Sequence, residues 1–231
     1  MIAMPDIHDT LRERLATIEE RIQRACVRCG RARDSITLIG VTKSVNAEVA
    51  TALLELGVVN LAENRPQELW KKAEAIPAAR WHFIGHLQRN KLARTLPCVS
   101  LFHSVDSMRL LEALSAAGTQ RGQPVPLLLE VNCSAEETKG GFAPNDILPM
   151  SDKLLSLGGV ELRGLMTMAA YHDDPELCRP TFTQLRVLRD ELRLRTGWPL
   201  PELSMGMSND FEIAIEEGAT FIRLGTVLFE S

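Results

Sequence analysis

Eight times along the chain a short apolar run gives way to a helical stretch or a turn, usually with a glycine before the next run. The runs are Ile36–Thr42, Val58–Ala62, Trp81–Gly85, Leu101–Val105, Pro126–Asn132, Val160–Met168, Leu203–Met207 and Phe221–Gly225. They are apolar on both faces instead of alternating, as parallel strands covered by helices are. A parallel pair needs a crossover of about a dozen residues or more, and nearly every gap supplies one. Asn46 is placed to cap the first crossover helix and Gly57 to end it; further helices are expected near Gln67–Ile76, Asn90–Leu96, Ser107–Gly118, Asn145–Leu157, Pro175–Arg195 and Asn209–Glu217.

The economical closure of such a series is an α/β fold, a (β/α)8 TIM barrel, whose usual size is ~250 residues. The alternative is an open doubly wound sheet, but the GxGxxG that would follow its first strand is missing. Ahead of the series, Ile7, Leu11, Leu15, Ile18, Ile22 and Cys26 recur at spacings of three or four, so an extra N-terminal helix is expected, closed by Gly30. Nothing helical is expected after the eighth run, which leaves this helix to cover the closure. With no linker or low-complexity stretch, residues 1–231 read as one domain.

Composition narrows the function classes. A chain that is 45% hydrophobic and 24% charged is globular, not disordered. A net charge of −4 offers no basic footprint for nucleic acid. No apolar run approaches the ~18 residues of a membrane span, and the opening MIAMPDIHDTLRERL is too polar for a signal peptide. A cytoplasmic protein without a membrane partner is expected, and a monomer, since no large apolar helix face is left over. The five cysteines are scattered, and Cys26 and Cys29, a lone CxxC, read as two thiols at a helix end.

In a barrel the active site lies at the C-terminal ends of the strands. That rule selects Lys43, Asn64, His86, Lys139, Ser208, Gly225 and Thr226. Barrels commonly hold a phosphate in the loops after strands seven and eight. There GMSND enters a helix, with Ser208 or Asn209 as N-cap and Glu212 placed for a capping box with Asn209. Free N–H groups at a helix start suit an anion; Gly225 would let backbone approach it and Thr226 offers a hydroxyl. Plain capping and a tight turn would account for the same residues. Arg223 lies in the otherwise apolar FIRLG, and Phe221, Arg223 and Gly225 share one side of their strand. If that side is the interior, Arg223 points at whatever the phosphate loops hold; outside, it would pair with a helix carboxylate. Lys43 shares parity with Ile39 and Val41; a lysine after a strand is more often a solvated surface residue, but at a barrel mouth apolar walls with a nearby Arg223 would favour its neutral amine. A neutral amine attacks aldehydes to form a Schiff base. Together these residues suggest an aldehyde that carries a phosphate: pyridoxal 5′-phosphate (PLP), or a sugar phosphate in an aldolase. His82, His86 and His103 form no HxH and gather no carboxylates, so a metal centre is disfavoured. No GxSxG elbow is present.

At these residues the chain resembles the pyridoxal-phosphate homeostasis proteins, single-domain barrels related to the N-terminal domain of alanine racemase. The resemblance runs from about Ser35 to Phe229 through VTKS, AENRPQE, WHFIGHLQRNK, FHSVD, EVNCSAEETKGGF, RGLMTM, LSMGMSND and IRLGTVLF. It implies that Lys43 forms the Schiff base with PLP, that Ser208, Gly225 and Thr226 hold the phosphate, that Arg223 contacts the pyridine nitrogen and that Asn64 lies beside the ring. Ala62, Arg65-Pro66 and Glu230 depart from the family's usual residues. In alanine racemase-like enzymes a second domain brings a tyrosine base; here the barrel consumes the chain and Tyr171 is its one tyrosine. The resemblance therefore implies a PLP-binding protein of intracellular PLP homeostasis that buffers or carries the cofactor, with apo-PLP enzymes as potential partners. The alternatives are a racemase or lyase using Tyr171 or Lys139 as base, and a Schiff-base aldolase, whose lysine would sit on the sixth strand where RGLMTM has none.

Overall fold

Residues 7–134, 136 and 140–230 are described by a computed structural model. Helix α1 (Ile7–Cys29) turns Leu11, Ile18 and Ile22 fully inward, and its last turn carries both thiols of the CxxC. Then come β1 (Thr37–Val41), α2 (Ala47–Glu55), β2 (Asn60–Glu63), α3 (Pro66–Ala75), β3 (Arg80–Phe83), α4 (Leu92–Thr95), β4 (Leu101–Val105), α5 (Met108–Arg121) and β5 (Val125–Glu130). The second part runs α6 (Pro144–Ile147), α7 (Ser151–Leu155), β6 (Val160–Met166), α8 (Arg179–Thr196), β7 (Glu202–Ser204), α9 (Phe211–Glu216), β8 (Phe221–Leu224) and α10 (Thr226–Phe229). The strands follow sequence order around a closed, all-parallel barrel. The ring closes where β8 pairs with β1, from Thr37 beside Phe221 to Gly40 beside Leu224. Helix α1 packs on α9, α2 and α10, so it covers that seam as expected.

Several boundaries differ from the pattern, each for a local reason. Val58 is not in β2: its amide donates to Leu53 O and belongs to the turn that ends α2. Glu63, polar and outside the apolar run, is in β2, because Lys72 meets it in the core. The helix expected over Asn145–Leu157 is two short ones, interrupted at Pro149, which has no amide to donate. Gly118 does not end α5, which runs on to a left-handed Gly122. Its missing side chain serves a close approach: a Cβ there would lie 1.9 Å from Gly159 O. A one-turn helix, α10, does follow the eighth strand.

The core has two shells. Outward-facing residues such as Trp81, Phe83, Phe102 and Leu127 pack against the helices. Inside the barrel are two small apolar groups: Ile39, Val41 and Ala62 with Ile84, and Leu101, Leu128 and Met166 with Met168, with Phe221 touching both. Between them lie buried polar side chains, His82, His103, Ser204 and Arg223.

Candidate functional site

At the C-terminal mouth, β1 ends at Val41 and the chain turns at Lys43–Ser44. The backbone just before Lys43 is clamped. Thr42 N donates to Ala62 O at 2.9 Å, and its hydroxyl donates to Glu63 Oε1 at 2.8 Å. Lys72 Nζ donates to Thr42 O at 2.7 Å and to the same Glu63 oxygen. Glu63 and Lys72 are buried, so this is an ion pair within the protein, fixing the strand end that presents Lys43. The side chain of Lys43 is itself exposed. The enclosure by apolar walls expected for it is thus corrected: the wall stops with the strand, at Val41, and Lys43 stands on the rim. Next around the ring, Asn64 is half-buried beyond β2. Its backbone touches the loop after β3 so closely that a Cβ on Gly85 would lie 1.9 Å from Asn64 O.

On the other side of β1, the loops after β7 and β8 are tied together. Ser208 Oγ accepts from Val227 N at 3.2 Å. The expected capping box is not formed. Helix α9 starts after Asp210, whose carboxylate instead turns back to accept from Met207 N at 2.6 Å. Asn209 donates to His172 O at 2.8 Å, and Glu212 is drawn off by Arg21 of α1. Ser208 therefore belongs to the rim, joined to α10. Gly225 is half-buried and Thr226 exposed. Thr226 opens α10, where an amide has no acceptor within the helix. A Cβ on Gly225 would come within 3.3 Å of Val41 O, so the absent side chain leaves the ends of β8 and β1 close together.

Arg223 faces the barrel interior and is 4% exposed. Nη1 donates to Ser204 Oγ at 2.5 Å and Nη2 to Thr167 O at 3.0 Å, engaging two of its five N–H groups. Burial lowers its pKa to about 10, against the pull of Asp210 and Glu130, which leaves it charged at neutral pH. Glu130 is pushed up by burial and by Asp106, and Asp210 by burial. Both carboxylates are thus close enough to Arg223 for opposite charge to act between them.

Three residues linked to Arg223, His82, His103 and Ser204, escaped the rule of strand ends because they lie within the strands. His82 Nδ1 is 2.9 Å from His103 Nε2, and His103 Nδ1 is 2.8 Å from Ser204 Oγ. His82 Nε2 is 3.1 Å from Asn60 Oδ1. Burial brings His82 down to about 4 and holds His103 well below the ordinary imidazole value. Strand parity was the available signal: His82 falls in step with Ile84, and His103 with Leu101, both interior. His86 stands apart, exposed, with Nδ1 2.8 Å from Asp106. Tyr171, after β6, is 76% exposed. Lys139 lies outside the described residues.

The model of the alanine racemase N-terminal domain matches residues 14–231. A pyridoxal phosphate homeostasis protein of Aquifex aeolicus is 44% identical over 219 residues, covering 94% of this chain and 96% of that one. One from Deinococcus radiodurans is 39% identical, covering 90% of this chain and 95% of that one. Among solved structures, PipY of Synechococcus elongatus with PLP bound superimposes with a TM-score of 0.82 at 32% identity, over 95% of this chain and 99% of that one. An alanine racemase from Clostridium difficile shares the fold at 19% identity and a TM-score of 0.77, with 96% of this chain matching 56% of that one.

Proposed function

The chain belongs to the pyridoxal phosphate homeostasis proteins, within the family of the alanine racemase N-terminal domain, and from that premise we propose that it binds PLP at the barrel mouth and buffers, carries or protects it without turning over substrates. The observation that supports this most is the order of strands: β7, β8 and β1 are consecutive around the ring, and their ends carry Ser208, then Arg223 with Gly225 and Thr226, then Lys43.

The donor set fits the cofactor. PLP supplies an aldehyde open to an amine, a phosphate, and an electron-withdrawing ring. Lys43, on a clamped strand end, offers the amine. Ser208, Gly225 and the helix-start amide and hydroxyl of Thr226 grip the phosphate, with no side chain on Gly225 to block it. Arg223 presents a charged N–H from below to the ring nitrogen, and Asn64 flanks the ring. Because an arginine keeps its own proton, it does not force one onto the ring as a carboxylic acid would, which weakens the electron sink without abolishing it. The non-catalytic half of the reading is supported by Tyr171. At 76% exposure, packing fixes no phenol over the mouth to handle protons.

The exposed rim leaves the cofactor open to other proteins, including apo-enzymes that need it. We read the chain as one domain, a cytoplasmic monomer; among the described residues no helix is long and apolar enough to cross a membrane. The test is spectroscopic. Protein incubated with PLP and desalted is expected to be yellow, and borohydride should fix the cofactor's mass on Lys43; Lys43→Ala should stay colourless. Absence of both colour and adduct in the wild-type protein overturns the binding half. Deuterium exchange at the α-carbon of amino acids in heavy water, catalysed by the loaded protein, overturns the non-catalytic half.

A further inference from the structure

The polar side chains crossing the barrel form one chain of hydrogen bonds, and its direction can be worked out. Asn60 presents its carbonyl oxygen to His82, so His82 Nε2 carries the proton that it donates at 3.1 Å. A neutral imidazole has one N–H, so His82 Nδ1 accepts, and His103 Nε2 donates to it at 2.9 Å. His103 Nδ1 in turn accepts, and the Ser204 hydroxyl donates to it at 2.8 Å. Ser204 Oγ is then left with its lone pairs for Arg223 Nη1. Every contact has one proton, and the donors all run one way, from Arg223 through Ser204, His103 and His82 to Asn60. With the opposite tautomers, the Ser204 proton would have no acceptor among the described residues.

Both imidazoles are buried, at 4% and 0% exposure, and Phe221 lies edge-on to each at 5.8 and 5.5 Å. The barrel therefore devotes part of its core to two uncharged histidines and a serine that satisfy one another and end on Arg223. In a low-dielectric interior such a chain is costly unless complete, and when complete it fixes each member's orientation. Resting on the PLP reading above, we infer that His82, His103 and Ser204 are positioning residues: they hold the Arg223 guanidinium in one plane, so that its remaining N–H groups meet the pyridine nitrogen at the mouth. Ser204 touches the arginine, His103 sets the direction of the serine hydroxyl, and His82 with Asn60 sets the tautomer of His103. The second anchor, Arg223 Nη2 on Thr167 O at 3.0 Å, prevents rotation in that plane.

The test joins a measurement that needs no cofactor to one that does. In cofactor-free protein at neutral pH, nitrogen-15 spectra of the imidazoles should show His82 and His103 both protonated at Nε2 and bare at Nδ1, and Arg223 should give separate Nη signals. In Ser204→Ala those Nη signals should merge, and the Kd for PLP should rise about tenfold, the scale of one charge-assisted hydrogen bond. His103→Leu should behave like Ser204→Ala. His103→Asn, whose side-chain oxygen takes the place of Nδ1, should stay within about twofold of wild type. Opposite tautomers overturn the inference, as do Ser204→Ala and His103→Leu variants that fold and hold PLP with wild-type Kd and unmerged Arg223 signals. A wild-type protein that takes up no PLP overturns the functional reading instead, and leaves the spectra to judge the hydrogen-bonded chain alone.

Discussion

Replacing Lys72 with methionine tests how the strand end beneath Lys43 is held. Lys72 and Glu63 are 4% and 0% exposed. Glu63 Oε1 accepts from Lys72 and from the Thr42 hydroxyl, whereas Oε2 is buried with no hydrogen-bond partner among the described residues. Methionine fills much the same volume, so the change in packing is small and the change in charge is large. It leaves a buried carboxylate with one neutral donor, and Thr42 O without its ammonium. Stranding one member of a buried pair costs about 3–5 kcal/mol. At ~2–4 °C per kcal/mol for a domain of this size, the midpoint should fall by ~6–20 °C. Urea and thermal unfolding, both run without PLP so that ligand binding adds nothing, give the number. The companion Glu63→Leu/Lys72→Met should recover most of the loss, because removing both charges removes the desolvation cost, and the Thr42 hydroxyl still reaches Ala62 O at 3.2 Å. A single variant within about 1 kcal/mol of wild type, or a double variant no better than the single, would refute the argument.

Gly85→Ala forces a methyl to 1.9 Å from Asn64 O; it should lower stability by about 3 kcal/mol and speed amide exchange at residues 62–65. Ser208→Ala frees the Val227 amide from its tie and should weaken PLP binding about fivefold, read by equilibrium dialysis. His82 titrates at about 4 when folded against an ordinary 6.5. Between those values the unfolded chain binds the proton and the folded chain does not, so stability falls as the pH falls from 6.5, by ~3 kcal/mol at pH 4. In His82→Gln the slope of unfolding free energy against pH across that window should shrink by up to one proton, measured by urea melts at stepped pH.

The barrel was legible because parallel strands buried on both faces leave an unmistakable series of apolar runs, and glycines punctuate them. What the pattern could not show was where polarity is paid back by a distant partner. Glu63 lay outside the apolar run that ended at Ala62, yet it closes β2, because Lys72, nine residues on, meets it in the core. The Asn209–Glu212 capping box was plausible by spacing, but Glu212 is taken by Arg21 from a helix far away in sequence. Gly118 looked like a stop and is a contact point. For the site, the strand-end rule pointed to the loops at the mouth, and parity grouped Arg223 with Phe221 and Gly225 but left open whether that side faced in or out; the structure turns Arg223 inward. His103 and Ser204 stand one layer down, where that rule does not look. The exposure of Lys43 was also hidden, since parity gives a direction but not the height at which the wall ends.

Ile39 lies beside Arg223 where the first and eighth strands meet. The amine that would bond the cofactor and the cation that would face its ring are thus neighbours only across a join between stretches very distant in sequence. Six further strands lie between them along the ring. On the proposed reading, loading with PLP would therefore report a closed ring: a molecule opened at this join would lose both halves of its grip at once. Ligand held in this way would, in turn, act as the rivet that keeps the ring shut.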